Sequence, residues 1–175
     1  SNLDGQFSVN TESMQLYAMI VEGHLLNSEM SFVGPSFTSK YDQIELMLDN
    51  YKVECHKRRY KGDFNSYSLL IDCLNNGKLS AENFFLLMNN FNLGISGTVR
   101  NFYAKPRELN LEAPEFFGSW SEYEIFGYNL NIICNKDPIS KEISFKDLIA
   151  NCLNHTTLQS DEIGIVSLSE NYQAK

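Results

Sequence analysis

Apolar residues recur along this chain with two different periods, which predict both strands and helices. Residues 14–21 are apolar at nearly every position, as in a central strand covered on both faces. Residues 30–33 predict a short partner strand that ends before Gly34 and Pro35. Beyond Ser39 the apolar positions are three and four residues apart, which predicts an amphipathic helix over 41–55. Its apolar stripe consists of Tyr41, Ile44, Leu48, Tyr51 and Cys55.

Residues 66–91 predict a helical hairpin, that is, two short amphipathic helices joined by a tight turn. Gly77 lies where a helix C-terminus favours a residue that tolerates positive φ, and Ser80 lies where the next helix needs a side-chain cap. The segment SYSLLIDCLNNGKLSAENFFLLM resembles a single pentatricopeptide-type hairpin around its NGK turn. Arrays of such hairpins need about three stacked units to bury a core. Because no second unit is visible, the resemblance implies no RNA-binding residues.

The second half of the chain predicts three strands, one long loop and one helix. Residues 99–103, 123–135 and 161–169 have strand patterns, and 123–135 needs one extra residue near 126–127 to keep its apolar positions on one face. Residues 105–121 contain two prolines and predict a loop, and a helix is expected to begin after Ser144. The fold class expected is therefore α+β, with a mixed or mainly antiparallel sheet packed against about four helices.

Length and composition predict one domain over 14–170, with tails at 1–13 and 171–175. The chain has 175 residues, of which 43% are hydrophobic, so it can bury a core. No apolar run reaches the ~18 residues of a membrane span. The four cysteines are widely spaced and lack a C-x-x-C motif, which favours free thiols in the core. We therefore expect a cytoplasmic protein with no membrane segment.

No motif in the sequence indicates catalysis or a bound cofactor. His24, His56 and His155 do not have the spacing of a metal site, and no glycine-rich loop suits a phosphate. Cys55 lies beside His56, but Cys55 also completes the apolar stripe of the predicted helix, and adjacency in sequence is not the geometry that a nucleophile needs. The sequence predicts no enzyme activity, no metal and no cofactor.

The net charge of −8 favours basic partners over nucleic acid, because a negative surface repels phosphates. Acidic and aromatic residues cluster in one segment, where aromatic anchors ringed by carboxylates would suit a basic protein. In the competing interpretation, the aromatic side chains turn inward and fill the core. The predicted partner-binding residues are Glu108, Glu112, Glu115, Phe116, Phe117, Trp120, Glu122 and Glu124.

These observations favour a small acidic binding protein of the immunity or antitoxin kind, an inhibitor that occludes the active site of a basic partner such as a nuclease toxin. The alternative is a nucleic-acid-binding protein or nuclease that uses a short basic run next to Tyr60. That run consists of Lys57, Arg58, Arg59 and Lys61. The oligomeric state stays open at this level.

Overall fold

The computed structural model describes residues 2–10, 14–41, 43–57, 66–140 and 145–167, and most of them belong to one antiparallel sheet. Strands β1 to β8 follow each other in the sheet in chain order, and β9 and β10 both pair with β8. One helix lies between β4 and β5, and the other between β8 and β9. The elements are β1 Asn2–Asn10, β2 Met14–Leu25, β3 Glu29–Tyr41, β4 Ile44–His56, α1 Ser66–Asn75, β5 Gly77–Met88, β6 Leu93–Lys105, β7 Glu108–Trp120, β8 Tyr123–Asn135, α2 Phe145–Asn154, β9 Thr156–Gln159 and β10 Glu162–Ser167.

The predicted α+β class with about four helices is wrong, because strands dominate and the described residues contain two α-helices. The helix predicted over 41–55 is strand β4. In the predicted hairpin, the first arm is helix α1 but the second arm is strand β5, so the likeness to a pentatricopeptide hairpin does not extend to structure. The predicted loop over 105–121 is mostly strand β7.

Other expectations from sequence are confirmed, are corrected at the N-terminal segment, or fall outside the described residues. Strand β8 has the predicted bounds, and α2 begins directly after Ser144 as predicted. Residues 2–10, set apart above as part of a tail, form β1 and pair with β2. Residues 171–175 lie outside the described residues.

The chain consists of two structurally equivalent units. β2, β3, β4 and α1 begin at residues 14, 29, 44 and 66, and β6, β7, β8 and α2 begin at residues 93, 108, 123 and 145, each 79 positions after its counterpart. In the same way β5 corresponds to β9 and β10 together. We call residues 14–88 the first unit and residues 93–167 the second. Pairs identical at this offset include Pro35 and Pro114, Asn50 and Asn129, Cys55 and Cys134, Lys57 and Lys136, and Cys73 and Cys152.

The buried hydrophobic residues of the strands all lie on one face of the sheet, which we call the inner face; the opposite face is the outer face. Leu48, Tyr51 and Ala81 form the buried cluster of the inner face, and Phe37 and Phe84 pack against it. Strand pairing places these residues side by side on β3, β4 and β5. The core is therefore assembled across neighbouring strands.

One residue in each strand from β2 to β8 interrupts the alternation of inner and outer side chains, at the same level of the sheet. Leu48 and Tyr51 of β4 are both buried on the inner face although three positions separate them. Asn50 is the extra residue, with φ at 49°. Because an extra residue bends its strand, we call this line the crease. Its members are Val21, Pro35, Asn50, Glu82, Arg100, Pro114 and Asn129, and Asp161 continues it between β9 and β10.

Equivalent hydrogen bonds fix the crease in both units. Asn50 Nδ2 donates to Glu82 Oε2 at 2.7 Å, and Asn129 Nδ2 donates to Asp161 Oδ2 at 2.6 Å. Both asparagines have left-handed backbone conformations, which asparagine tolerates better than most residues. The side-chain bonds therefore hold each strand at its bend.

A disulfide connects the helix of each unit to the sheet. Cys55 of β4 bonds to Cys73 of α1, and Cys134 of β8 bonds to Cys152 of α2; both pairs are 18 residues apart in sequence. The prediction of free core thiols is therefore wrong. Neither helix of the described residues has the length and apolar character needed to cross a membrane.

Candidate functional site

The eight predicted partner-binding residues all lie on the hairpin of β7 and β8, but strand alternation divides them between the two faces. Phe116 and Trp120 are on the inner face, and Glu122 is in the connecting turn. The outer face carries the other five, Glu108, Glu112, Glu115, Phe117 and Glu124. The hairpin therefore brings acidic and aromatic side chains together mainly on the outer face.

The aromatic residues of the predicted site have different environments. Phe116 is half-buried and its ring covers Gly127, where a Cβ atom would collide with the ring. Trp120 is 48% exposed and stacks on Tyr123, with ring centroids 6.0 Å apart. Phe117 is 46% exposed on the outer face. The core interpretation therefore fits Phe116, whereas Phe117 and Trp120 remain accessible.

Phe117 belongs to an aromatic cluster that spans two strands of the outer face, β7 and β8. It lies opposite Phe126 on β8 and makes an edge-to-face contact with Tyr128, at a centroid distance of 6.5 Å. Phe126 and Tyr128 are in a similar contact at 6.1 Å. Cross-strand neighbours on one face are close enough to form a continuous surface.

Three carboxylates border this cluster. Glu115 lies opposite Tyr128, which in turn lies opposite Glu162 of β10, and Glu124 lies between Ser119 and Val166. All three carboxylates are exposed. We call the set the acidic aromatic patch; it consists of Glu115, Phe117, Glu124, Phe126, Tyr128 and Glu162.

Sequence reasoning missed Phe126, Tyr128 and Glu162 as site residues. It placed the extra residue of this strand near 126–127, which assigns Phe126 and Tyr128 to the face of Leu130. The extra residue is Asn129, so both rings project from the outer face. The tendency of asparagine to adopt left-handed backbone conformations is the signal in the sequence that could have located the bend.

The two units differ in how the acidic residues of the outer face are neutralised. In the first unit Lys40 pairs with Glu45 at 3.5 Å. The equivalent positions of the second unit hold Ser119 and Glu124, so the carboxylate is kept and the lysine is absent. Among the described residues, no ion pair involves any carboxylate of the acidic aromatic patch. The patch is therefore a local concentration of negative charge.

Glu108 and Glu112 lie on the other side of the crease and have partners. Lys105 Nζ lies 3.7 Å from Glu108 Oε2, and Asn101 Nδ2 donates to Glu112 Oε2 at 3.2 Å. Because the crease bends the sheet, these two residues belong to a different stretch of the outer face from Glu115. Of the predicted site, the residues that remain together on one stretch of the outer face are those in the acidic aromatic patch.

The basic run of the alternative hypothesis contributes one described residue, Lys57. Its amide donates to the carbonyl of Ser28 at 3.0 Å, and its Nζ donates to the carbonyl of Asn27 at 3.0 Å. Lys136 makes the equivalent bonds to the carbonyls of Arg107 and Pro106 in the second unit. Both lysines therefore hold the turn between the first two strands of their unit. Arg58, Arg59 and Lys61 lie outside the described residues.

An open groove of about 620 Å³ lies at the end of strands β2 to β6 where β2 turns into β3. Its lining includes Lys52 and Glu54, which pair at 2.9 Å, and Tyr103, whose ring lies beneath Lys78 Nζ at 5.5 Å. The hydrogen bond from Lys52 lowers the pKa of Glu54 and keeps that carboxyl ionised. Because positive and negative side chains pair within the groove, it does not concentrate charge of one sign as the acidic aromatic patch does.

Neither metal-binding geometry nor resemblance to known proteins adds to this picture. Within the ranges that the structure describes, no three histidine, cysteine or acidic side chains are grouped so that they could hold a metal ion. No protein-family model, no curated protein and no solved structure matches the chain. The geometry and charge of the acidic aromatic patch are therefore the features of this chain that bear most directly on its function.

Proposed function

We propose that this protein is an acidic binding module of the immunity or antitoxin kind, which inhibits a basic protein by docking on it through the acidic aromatic patch. The observation that supports this most directly is the cluster of the exposed Phe117 and Tyr128 with the half-buried Phe126, bordered by carboxylates that have no lysine partner among the described residues. The net charge of −8 adds long-range attraction for a basic protein, for example a nuclease toxin.

The patch combines the two kinds of residue that have different roles in protein interfaces, exposed aromatic residues and surrounding charges. Exposed aromatic residues supply area that becomes buried on association and often dominate affinity. Surrounding charges accelerate the encounter and reject partners of the same sign. In this protein Phe117 and Tyr128 would supply the buried area, and Glu115, Glu124 and Glu162 would steer a cationic surface onto it.

The two disulfides change the compartment in which we place this activity. Disulfides persist in oxidising compartments and are rare in the cytosol. The cytoplasmic localisation expected above relied on free thiols, and the pairing of all four cysteines removes that support. We therefore place the proposed inhibitor, and the basic enzyme that it blocks, in an oxidising compartment.

The experiment combines capture with inhibition. The purified protein is used to capture partners from the native extract at low salt, each captured protein is identified, and its enzymatic activity is titrated with the inhibitor. Two variants test the patch, Phe117→Ser and Glu124→Gln. The matched control is Glu45→Gln, because Glu45 is the equivalent glutamate of the first unit and is paired with Lys40.

We expect a basic partner whose activity falls stoichiometrically with added wild-type protein. Both patch variants should weaken inhibition at least tenfold, and Glu45→Gln should inhibit as the wild type does. Raising the salt from about 50 to 500 mM should weaken the complex, since exposed charges are screened beyond about 10 Å at 0.1 M. A captured protein that is acidic, or equal inhibition by all three variants, would contradict the proposal.

A further inference from the structure

On one side of the sheet the outermost strands are β9 and β10. Among the described residues their only strand partner is β8. Their counterpart in the first unit, β5, has partners on both sides, β4 and β6. The repeat therefore shows what a strand at this position looks like when its second side is covered.

Inner-face residues of β9 and β10 are more exposed than their counterparts on β5. Leu158, Ile163 and Ile165 are 50%, 46% and 66% exposed. The equivalent residues Leu79, Phe84 and Leu86 are half-buried, and Leu79 and Phe84 pack against the core cluster. On β5 these residues have neighbours across the strand pair, namely Phe102, Gly97 and Ile95 of β6. Within the described ranges, no apolar strand lies beside β10 in the way that β6 lies beside β5.

The outer face of the same edge carries negative charge. Glu162 of β10 lies beside Tyr128, and Glu124 of β8 lies beside Val166. A strand added next to β10 would place alternate side chains against Ile163 and Ile165 on the inner face and against Glu162, Gly164 and Val166 on the outer face, with Glu124 one strand further away. The chemistry that fits both faces is an extended segment in which apolar residues alternate with lysine or arginine.

We propose that the basic partner contributes such a segment, which adds to β10 as an antiparallel strand over residues 162–166. This inference rests on the proposed function, since it describes how the same partner engages the edge next to the acidic aromatic patch. Main-chain hydrogen bonds supply affinity in this mode of recognition, and the alternating side chains supply specificity. Strand addition also covers an edge that would otherwise be open to non-specific pairing.

Peptide titration tests the strand addition directly. The probe is a ten-residue peptide of alternating lysine and valine, and the readout is the change in backbone amide shifts in the full chain. Three control peptides accompany it: one of the same composition with lysines and valines in blocks, one of alternating glutamate and valine, and one with alternate backbone nitrogens methylated. The variant Ile165→Ser removes the apolar edge without adding charge. Its matched control is Val21→Ser, because Val21 is 67% exposed but lies far away on β2.

We expect shift changes confined to β8 and β10, and binding at least tenfold weaker for the methylated, block and acidic peptides. Ile165→Ser should weaken binding about fivefold, and Val21→Ser should leave it unchanged. Equal binding of the methylated peptide, or shift changes elsewhere, would overturn the proposal. So would a dimer of this chain that uses the edge and is not displaced by the peptide. If the peptide fails while inhibition of the basic partner still depends on Phe117, the strand addition is wrong and the proposed function stands. If the peptide binds but no basic partner is inhibited, the edge of β10 does accept an added strand and the proposed inhibitory function is wrong.

Discussion

Removing either disulfide should destabilise the protein by about the same amount, because the two cross-links are equivalent. Each closes a loop with the same sequence separation, 18 residues, and each fixes a helix to the third strand of its unit. The chain-entropy relation for a loop of this length gives about 3 kcal/mol at 25 °C. The strand cysteines Cys55 and Cys134 are 4% and 1% exposed, so alanine at these positions leaves similar small voids.

The variants are Cys55→Ala with Cys73→Ala, and Cys134→Ala with Cys152→Ala. Urea unfolding at 25 °C, followed by the fluorescence of Trp120, should show a loss of about 3 kcal/mol in the free energy of unfolding for each pair. A loss below about 1 kcal/mol for either pair would refute the reasoning, since loop closure alone sets a larger value. A difference above about 1.5 kcal/mol between the pairs would show that the units are not energetically equivalent, because equal loops predict equal losses.

Two further perturbations test the packing of single residues. Gly34→Ala should destabilise the protein strongly, because a Cβ atom there would collide with the carbonyl oxygen of Met19. Gly94→Ala should destabilise it little, because a Cβ atom there would meet only a methyl group of Leu87 at 3.8 Å. Thermal unfolding of the two variants measures the difference. Burial lowers the pKa of Lys136, which donates to the carbonyl of Pro106 at 2.9 Å. The unfolded chain therefore binds more protons than the folded one between this lowered pKa and about 10.5, so wild-type stability should rise with pH across that window, and this rise should be absent in Lys136→Met. Urea unfolding at several alkaline pH values measures it, and an equal rise in the variant would contradict the assignment.

The crease explains why sequence periodicity predicted a helix where β4 forms. A regular strand repeats its inner positions every two residues, but the extra residue Asn50 lengthens one interval to three. Ile44, Leu48, Tyr51 and Cys55 then all lie on the inner face at intervals of three and four, which is the spacing of a helix stripe. No property of the pattern itself distinguishes a bent strand from a helix here.

The same bend accounts for the loop predicted over 105–121. Proline removes a ladder hydrogen bond and is excluded from regular central strands. Pro114 is tolerated in β7 because it occupies the crease, where it has no pairing partner in the ladder. Pro106 lies in the turn before the strand. Both prolines are therefore compatible with a long strand, although in sequence they indicate the opposite.

The acidic aromatic patch was predictable from sequence in part. The clustering of glutamates with Phe117 and Trp120 is visible in sequence, because a hairpin brings neighbouring residues of the chain together. The contribution of Glu162 is not, since it depends on which strand becomes the neighbour of β8. The presence of Ser119 opposite Glu124 becomes informative only after alignment with Lys40 and Glu45 of the first unit. That alignment has a period longer than the 20–50 residues in which repeats are usually sought, and its identities are scattered.

The crease has a practical consequence for anyone attaching probes to this molecule. Along β8, even-numbered positions before Asn129 project to the same side as odd-numbered positions after it. Two fluorophores at positions 124 and 132 would therefore report on opposite surfaces, whereas positions 124 and 133 would report on the same one. The same change of odd and even positions applies at the crease in each of the strands β2 to β8.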